Sequence, residues 1–250
     1  MSVTIITGAI GAGKTRYCID QIKKMHKAYP QNRMIMLVPP HYSHVTEHML
    51  ISEFGGTGIN NIECTSMEKL ARELLTGAEK KLGASGKNAL ICRAISLMLE
   101  NIDVDKFDRK IIRAVCKDGF VDVCASLISE MHRYNITSEM LYDESEATDN
   151  PLLSQKLEIL SSIYQQYAML LENTDYIDSD DDLSRLAGVI DTAFNSGDYI
   201  WIDKFDELLP QQLDVIYALI NVGVNITITF NVCNDSDDTY YGTKKAISDI

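Results

Sequence analysis

Gly8-Ala9-Ile10-Gly11-Ala12-Gly13-Lys14-Thr15 follows the apolar run Val3 to Ile6 and leads into Lys14 to Ala28, where Cys18, Ile22 and Met25 share one helical stripe. The order is strand, glycine-rich loop, helix, which is the context that G-x-x-x-x-G-K-[ST] needs to be a phosphate-binding loop. Glycines let backbone N–H groups turn inward around phosphate oxygens, and a helix N-terminus adds partial positive charge. Gly8, Ala9, Ile10, Gly11, Ala12, Gly13, Lys14 and Thr15 are therefore the expected ATP-binding residues. Within them, Lys14 reaches the β- and γ-phosphates and Thr15 is a ligand to Mg²⁺.

Beyond the loop, Pro30 ends the first helix. A second apolar run, Met34 to Val38, is stopped by Pro39-Pro40, and a helix is predicted from Ser43 to Phe54. Gly55-Gly56-Thr57-Gly58 closes that helix, and Ile59 to Cys64 reads as a third strand. The pattern then turns helical over Ser66–Thr76, Gly86–Glu100, Arg109–Tyr134, Ser138–Glu146, Pro151–Glu172 and Asp180–Phe194, with no strand expected between them. Alternation returns with a strand at Tyr199–Ile202, a helix at Pro210–Asn221, a strand at Asn225–Phe230 and a helical start at Thr243. The expected fold class is α/β, a parallel sheet of nucleotide-binding type carrying an inserted all-helical subdomain. Residues 1–66 form its first part, 67–195 the insertion and 196–250 the second part. Lys244 to Ile250 sit inside a helical pattern with no terminating cap, so we expect a chain cut from a longer protein.

A phosphate loop needs a second acidic group to hold Mg²⁺ through water, at the end of another apolar strand. Tyr199-Ile200-Trp201-Ile202-Asp203 fits, which makes Asp203 the second candidate metal residue beside Thr15. Hydrolysis further asks for a group that positions or deprotonates the attacking water, often a Glu directly after that Asp. Here Lys204 follows, and a lysine cannot accept a proton at neutral pH unless its pKa falls by several units. Asp206 and Glu207 lie too far on for the direct role. Nucleotide binding with little or no turnover is the expectation, and no catalytic residue is assigned.

Composition narrows the alternatives. A formal charge of −13 over 250 residues argues against a freestanding electrostatic DNA binder. No apolar stretch approaches the roughly 20 residues of a membrane span. The six cysteines form no metal-type spacing and read as free thiols in a reducing, cytoplasmic compartment. His44 and His48, with His41 nearby, could share a helix face, but a polar contact surface or plain solvation fits them better than metal binding. The run Asp178 to Asp182 lacks the central glycine and closing glutamate of a calcium loop and is read as a cap for a helix beginning near Asp182. Asp235 to Asp238 reads as a solvated loop and Trp201 as core.

The phosphate loop, the stretch Met34 to Pro39 and the segment Tyr199 to Leu213 resemble the N-terminal region of the B subunit of AddAB/RexAB-type helicase-nucleases, which process DNA double-strand breaks for recombination. Leu37 to Leu50, Cys64 to Leu75, Leu127 to Met131, Lys156 to Tyr167, Tyr176 to Asp182 and Thr227 to Phe230 look like further segments of that family, in the same order. The resemblance implies the first RecA-like domain of a helicase with a helical insertion. It also implies a degenerate motor that keeps the aspartate but loses the glutamate at the position of Lys204. An AddA/RexA-type partner, with DNA in the full complex, is implied as well. The family's nuclease motif and iron–sulfur cluster ligands belong to its far C-terminal part, so none of the cysteines here is read as a cluster ligand. Two competing readings are a small-molecule P-loop kinase, which would need an arginine cluster for its acceptor, and a scaffold whose acidic surface docks a basic partner.

Overall fold

A computed structural model describes residues 2–55, 61–75, 77, 80–117 and 119–231. Its described elements run β1 (Val3–Gly8), α1 (Lys14–Ala28), β2 (Met34–Leu37), α2 (Pro40–Glu53), β3 (Ile62–Thr65), α3 (Met67–Leu74), β4 (Lys80–Leu82) and α4 (Ala84–Asn101). They continue through α5 (Arg109–Val115), α6 (Phe120–Arg133), α7 (Ser138–Ala147), α8 (Pro151–Glu172), β5 (Tyr176–Asp178), α9 (Asp182–Ala193), β6 (Tyr199–Ile202), α10 (Pro210–Val222) and β7 (Asn225–Asn231). The chain divides into two compact units, one of residues 1–76 and 182–250, the other Gly77–Asp181.

In the first unit five strands pair in parallel in the order β1-β7-β6-β2-β3. Every strand therefore ends on the same edge of the sheet, where open α/β sheets take their ligands. The period-2 alternation of each strand sends side chains to two covers. Met34, Met36 and Trp201 pack with Cys18, Ile19 and Ile22 of α1 and Leu50 of α2. Ile35, Leu37, Ile200, Ile202, Ile226, Ile228 and Phe230 pack with α3, α9 and α10 through residues such as Leu70, Ile190 and Ile216. The α/β class with a parallel sheet agrees with the sequence reading.

Several boundaries differ from it. Helix α2 begins at Pro40, not Ser43, because proline fits the first helical turn, where its missing N–H would have no partner anyway. The expected insertion at 67–195 included α3 and α9, yet both lie on the sheet and help bury its core. The second unit is also not all helical. Its helices α4, α5, α6 and α8 share a core around Ile91, Ile95, Cys124, Ile159 and Ile163, but β4 and β5 pair in parallel beside them. The single helix expected over Arg109–Tyr134 is two, α5 and α6, because Gly119 has φ 86, a left-handed value that a continuing right-handed helix cannot contain. The helical start at Thr243, the Asp235–Asp238 run, Cys233 and the Gly56-Thr57-Gly58 turn lie outside the described residues. Among the described residues, no helix is long and apolar enough to cross a membrane.

The second unit holds a buried ionic knot. The Lys87 ammonium donates to Asp178 Oδ2 at 2.8 Å, to Asp180 and to Ser129 Oγ at 3.0 Å, and it lies 5.7 Å from the centre of the Tyr167 ring. The Tyr167 hydroxyl donates to Asp178 Oδ2 as well, at 2.5 Å. Asp178 also accepts the Asp180 amide at 3.1 Å and so closes the 3₁₀ turn Ser179–Asp181 that precedes α9. The acidic run thus begins with a buried ion-pair partner, where only a helix cap was expected.

Candidate nucleotide-binding site

The loop between β1 and α1 turns on two glycines with left-handed backbones, Gly11 at φ 83 and Gly13 at φ 88. Gly13 occupies the N-cap of α1, where no side chain caps the first amides and no acidic residue stands in the first turn. Those amides retain their capacity for an anion at the positive end of a 15-residue helix. Within the loop, Ala12 N–H donates to the Ala9 carbonyl at 3.1 Å. Lys14 folds back over it, and its ammonium donates to the carbonyls of Gly8 at 2.9 Å and Ala9 at 2.8 Å. The lysine charge is thereby held across the loop mouth, while Ile10 at the tip is exposed.

Asp203 follows directly on β6, and its amide donates to the Leu37 carbonyl at 2.9 Å, which carries the strand ladder one residue further. Its side chain is only 1% exposed. Thr15 Oγ1 donates to Asp203 Oδ2 at 2.6 Å, so the two residues singled out as metal candidates, 188 positions apart, are brought into contact. From β7, the buried Thr229 hydroxyl donates to the other carboxylate oxygen, Oδ1, at 2.5 Å. The Cys18 thiol is pushed up to about 12 by burial and, secondarily, by the negative charge of Asp203. A hydroxyl and a carboxylate, both hard oxygen donors, at a helix N-terminus suit Mg²⁺ in kind.

Lys204 carries the other unusual backbone of the site, with φ 68 in a residue that has a side chain. Its ammonium donates to the hydroxyl of the fully buried Thr46 at 3.0 Å and sits 4.9 Å from the centre of the Tyr42 ring. Both partners belong to α2, so the turn after Asp203 is tied to that helix. Asp206 and Glu207 are exposed, and Asp206 accepts from Asn231 Nδ2 at 3.3 Å. His41, His44 and His48 are exposed on α2, and the described residues contain no histidine, cysteine and carboxylate cluster that could hold a metal. Trp201 is core, as expected, and stacks with Tyr199.

Thr229, Thr46 and Tyr42 were not foreseen as site residues. Thr229 had a signal, because in Ile226-Thr227-Ile228-Thr229-Phe230 every second residue of a central strand is polar, and a hydroxyl in such a place needs a partner.

Known proteins resemble this sequence over nearly all of its length. A family model described as "ADDB, N-terminal" matches residues 5–250. A protein from Clostridium novyi (strain NT), named as the B subunit of an ATP-dependent helicase/deoxyribonuclease, is 30% identical over 254 residues, covering 98% of this chain and 22% of that protein. Its namesake from Clostridium perfringens (strain 13 / Type A) is 31% identical, again over 98% of this chain and 21% of that protein. A third, from Clostridioides difficile (strain 630), is 29% identical over the same share. The chain spans about a fifth of the length of these relatives. With a parallel sheet, a glycine-rich loop between β1 and α1 and a match from residue 5 to residue 250, the chain belongs to the AddB N-terminal family.

Proposed function

We propose that this chain is the ATP-binding, RecA-like module of an AddB/RexB-type protein that works in DNA break processing, and that it binds nucleotide without appreciable hydrolysis. The observation that carries the reading is the Thr15–Asp203 contact at 2.6 Å beneath the uncapped N-terminus of α1. A hydroxyl has one proton and two lone pairs, so Thr15 can donate to Asp203 and still offer oxygen to a cation. Mg²⁺ would be held by Thr15 and, through water, by Asp203. When bound it supplies charge neutralisation at the β- and γ-phosphates. Gly8 to Thr15 would hold ATP, with Lys14 leaving its loop carbonyls for phosphate.

Weak or absent turnover is supported by Lys204. The residue after Asp203 is a cation held by Thr46 and Tyr42, and the exposed Asp206 and Glu207 leave no carboxylate in the place of a base. The partner in this reading is the AddA/RexA-type protein, with DNA bound by the assembled complex, because the relatives are named as one subunit of a helicase/deoxyribonuclease. Titration of Mg-ATP into the purified chain by calorimetry, with phosphate release followed in the same samples, tests it. Saturable binding that is lost in Lys14→Ala, with negligible release, is the expected result. Rapid release would overturn the hydrolysis part, and an absence of binding in both proteins would overturn the whole.

A further inference from the structure

The Asp203 carboxylate is gripped from two elements at once. Oδ2 accepts from Thr15 on α1 at 2.6 Å, and Oδ1 accepts from Thr229 on β7 at 2.5 Å. Thr229 is 2% exposed and stands one residue beyond Ile228, which is in register with Ile202, so it lies beside Asp203 on the neighbouring strand. Swinging the carboxylate to present both oxygens on the Thr15 side would break the Thr229 bond and leave a buried hydroxyl unsatisfied, which costs its desolvation. The carboxylate therefore faces the Thr15 side with Oδ2 alone.

That restriction bears on which cation the site accepts, given the nucleotide-binding reading above. Mg²⁺ is small, octahedral and retains its waters, so one oxygen reached through a water suits it. Ca²⁺ takes six to eight oxygens and favours carboxylates that offer two. We propose that Thr229 is a specificity-determining residue that holds Asp203 in a one-oxygen presentation and so selects Mg²⁺ over Ca²⁺ with the nucleotide. It acts through Asp203 and touches neither metal nor nucleotide. Its removal frees Oδ1 and lets the carboxylate turn to chelate.

The test compares the full 250-residue chain with Thr229→Val, which keeps the shape of the side chain and removes the hydroxyl, and with Thr229→Ser, which keeps the hydroxyl. Each is titrated with ATP by calorimetry in Mg²⁺ and in Ca²⁺, and thermal melting reports the fold independently. In Thr229→Val the ratio of Mg-ATP to Ca-ATP affinity should fall by about tenfold, the lower end of what outer-shell changes do to metal affinity. In Thr229→Ser the ratio should match wild type. An unchanged ratio in a folded Thr229→Val overturns the proposal, as does a Thr229→Ser ratio that falls with it, which would trace the effect to packing. If wild type binds ATP in neither cation, the nucleotide reading itself fails and takes the proposal with it. If wild type binds but favours neither cation, only the role of Thr229 fails.

Discussion

Lys87→Met removes the cation from the ionic knot while keeping a side chain of similar length. The ammonium is 10% exposed and Asp178 2%, so neither charge is well placed to recover its hydration when the other is lost. Breaking a buried pair by deleting one partner typically destabilises by about 3–5 kcal/mol, against about 0–1 kcal/mol for an exposed pair. The wider network argues for the upper part of that range, since Asp180, Ser129 and Tyr167 all lose a partner or a neighbour with the same change. At about 2–4 °C per kcal/mol for a chain of this size, a loss of about 4–5 kcal/mol should lower melting by roughly 8–20 °C. Denaturant unfolding by circular dichroism gives the free energy directly. Adding Asp178→Asn to Lys87→Met removes the stranded charge, so the double variant should regain at least about half of the loss. A single-variant loss under about 1 kcal/mol, or a double variant that is merely the sum of the two singles, would refute the reasoning and reduce the knot to a solvated pair.

Acid should probe the same knot. Burial by itself raises the Asp178 carboxyl, but hydrogen bonds from Lys87, from Tyr167 and from the Asp180 amide, together with the Lys87 charge, outweigh it and hold the group below its ordinary 3.8. A depressed carboxyl contributes stability that is complete above its unfolded value and is lost as pH falls through 3.8 towards the folded value. Stability measured from pH 6 downwards should therefore drop more steeply below about pH 4 in wild type than in Lys87→Met, where that contribution is already gone. Parallel curves would count against it. At the candidate nucleotide site, Lys204→Glu should not create a fast ATPase, because the side chain at 204 leaves a left-handed backbone towards Thr46 and Tyr42. The same change should lower stability by about 1–3 kcal/mol through the lost Thr46 bond and ring contact. A rise in phosphate release of a hundredfold or more would show that residue identity alone, and not its direction, limits turnover.

The strand, glycine-rich loop and helix at the start of the chain and the strand ending in Asp203 were legible because their signals are local. A glycine pattern between a strand and a helix, and an apolar run closed by one carboxylate, need no knowledge of distant residues. The helix Lys14–Ala28 and the helix Pro151–Glu172 were read to the residue for the same reason, with proline and glycine punctuating them. The strands β4 and β5 escaped because three residues are too few for alternation to declare itself. The break at Gly119 escaped because apolar spacing persists from α5 into α6 and masks a change of axis. Lys87 and Asp178, 91 positions apart, look like ordinary surface charges until the fold brings them together. Thr229 and Thr46 are partners of residues that were singled out, and neither the register that sets Thr229 beside Asp203 nor the packing that sets α2 beside Lys204 is written in a single sequence.

The pairing of β1 with β7 has a consequence for synthesis. Among the described strands it pairs with β7 alone, and Val3 meets Ile226, 223 positions later in the chain. At about 5–20 residues per second, roughly 11–45 s separate the emergence of the two strands during translation. The second unit is complete in sequence by Asp181, with its own core and its own ionic knot, so its contacts can form while the first strand still waits. The glycine loop thus leaves the ribosome well before β7, the strand that pairs with β1. Until β7 emerges, the nascent chain carries the glycine-rich loop without the strand that flanks β1.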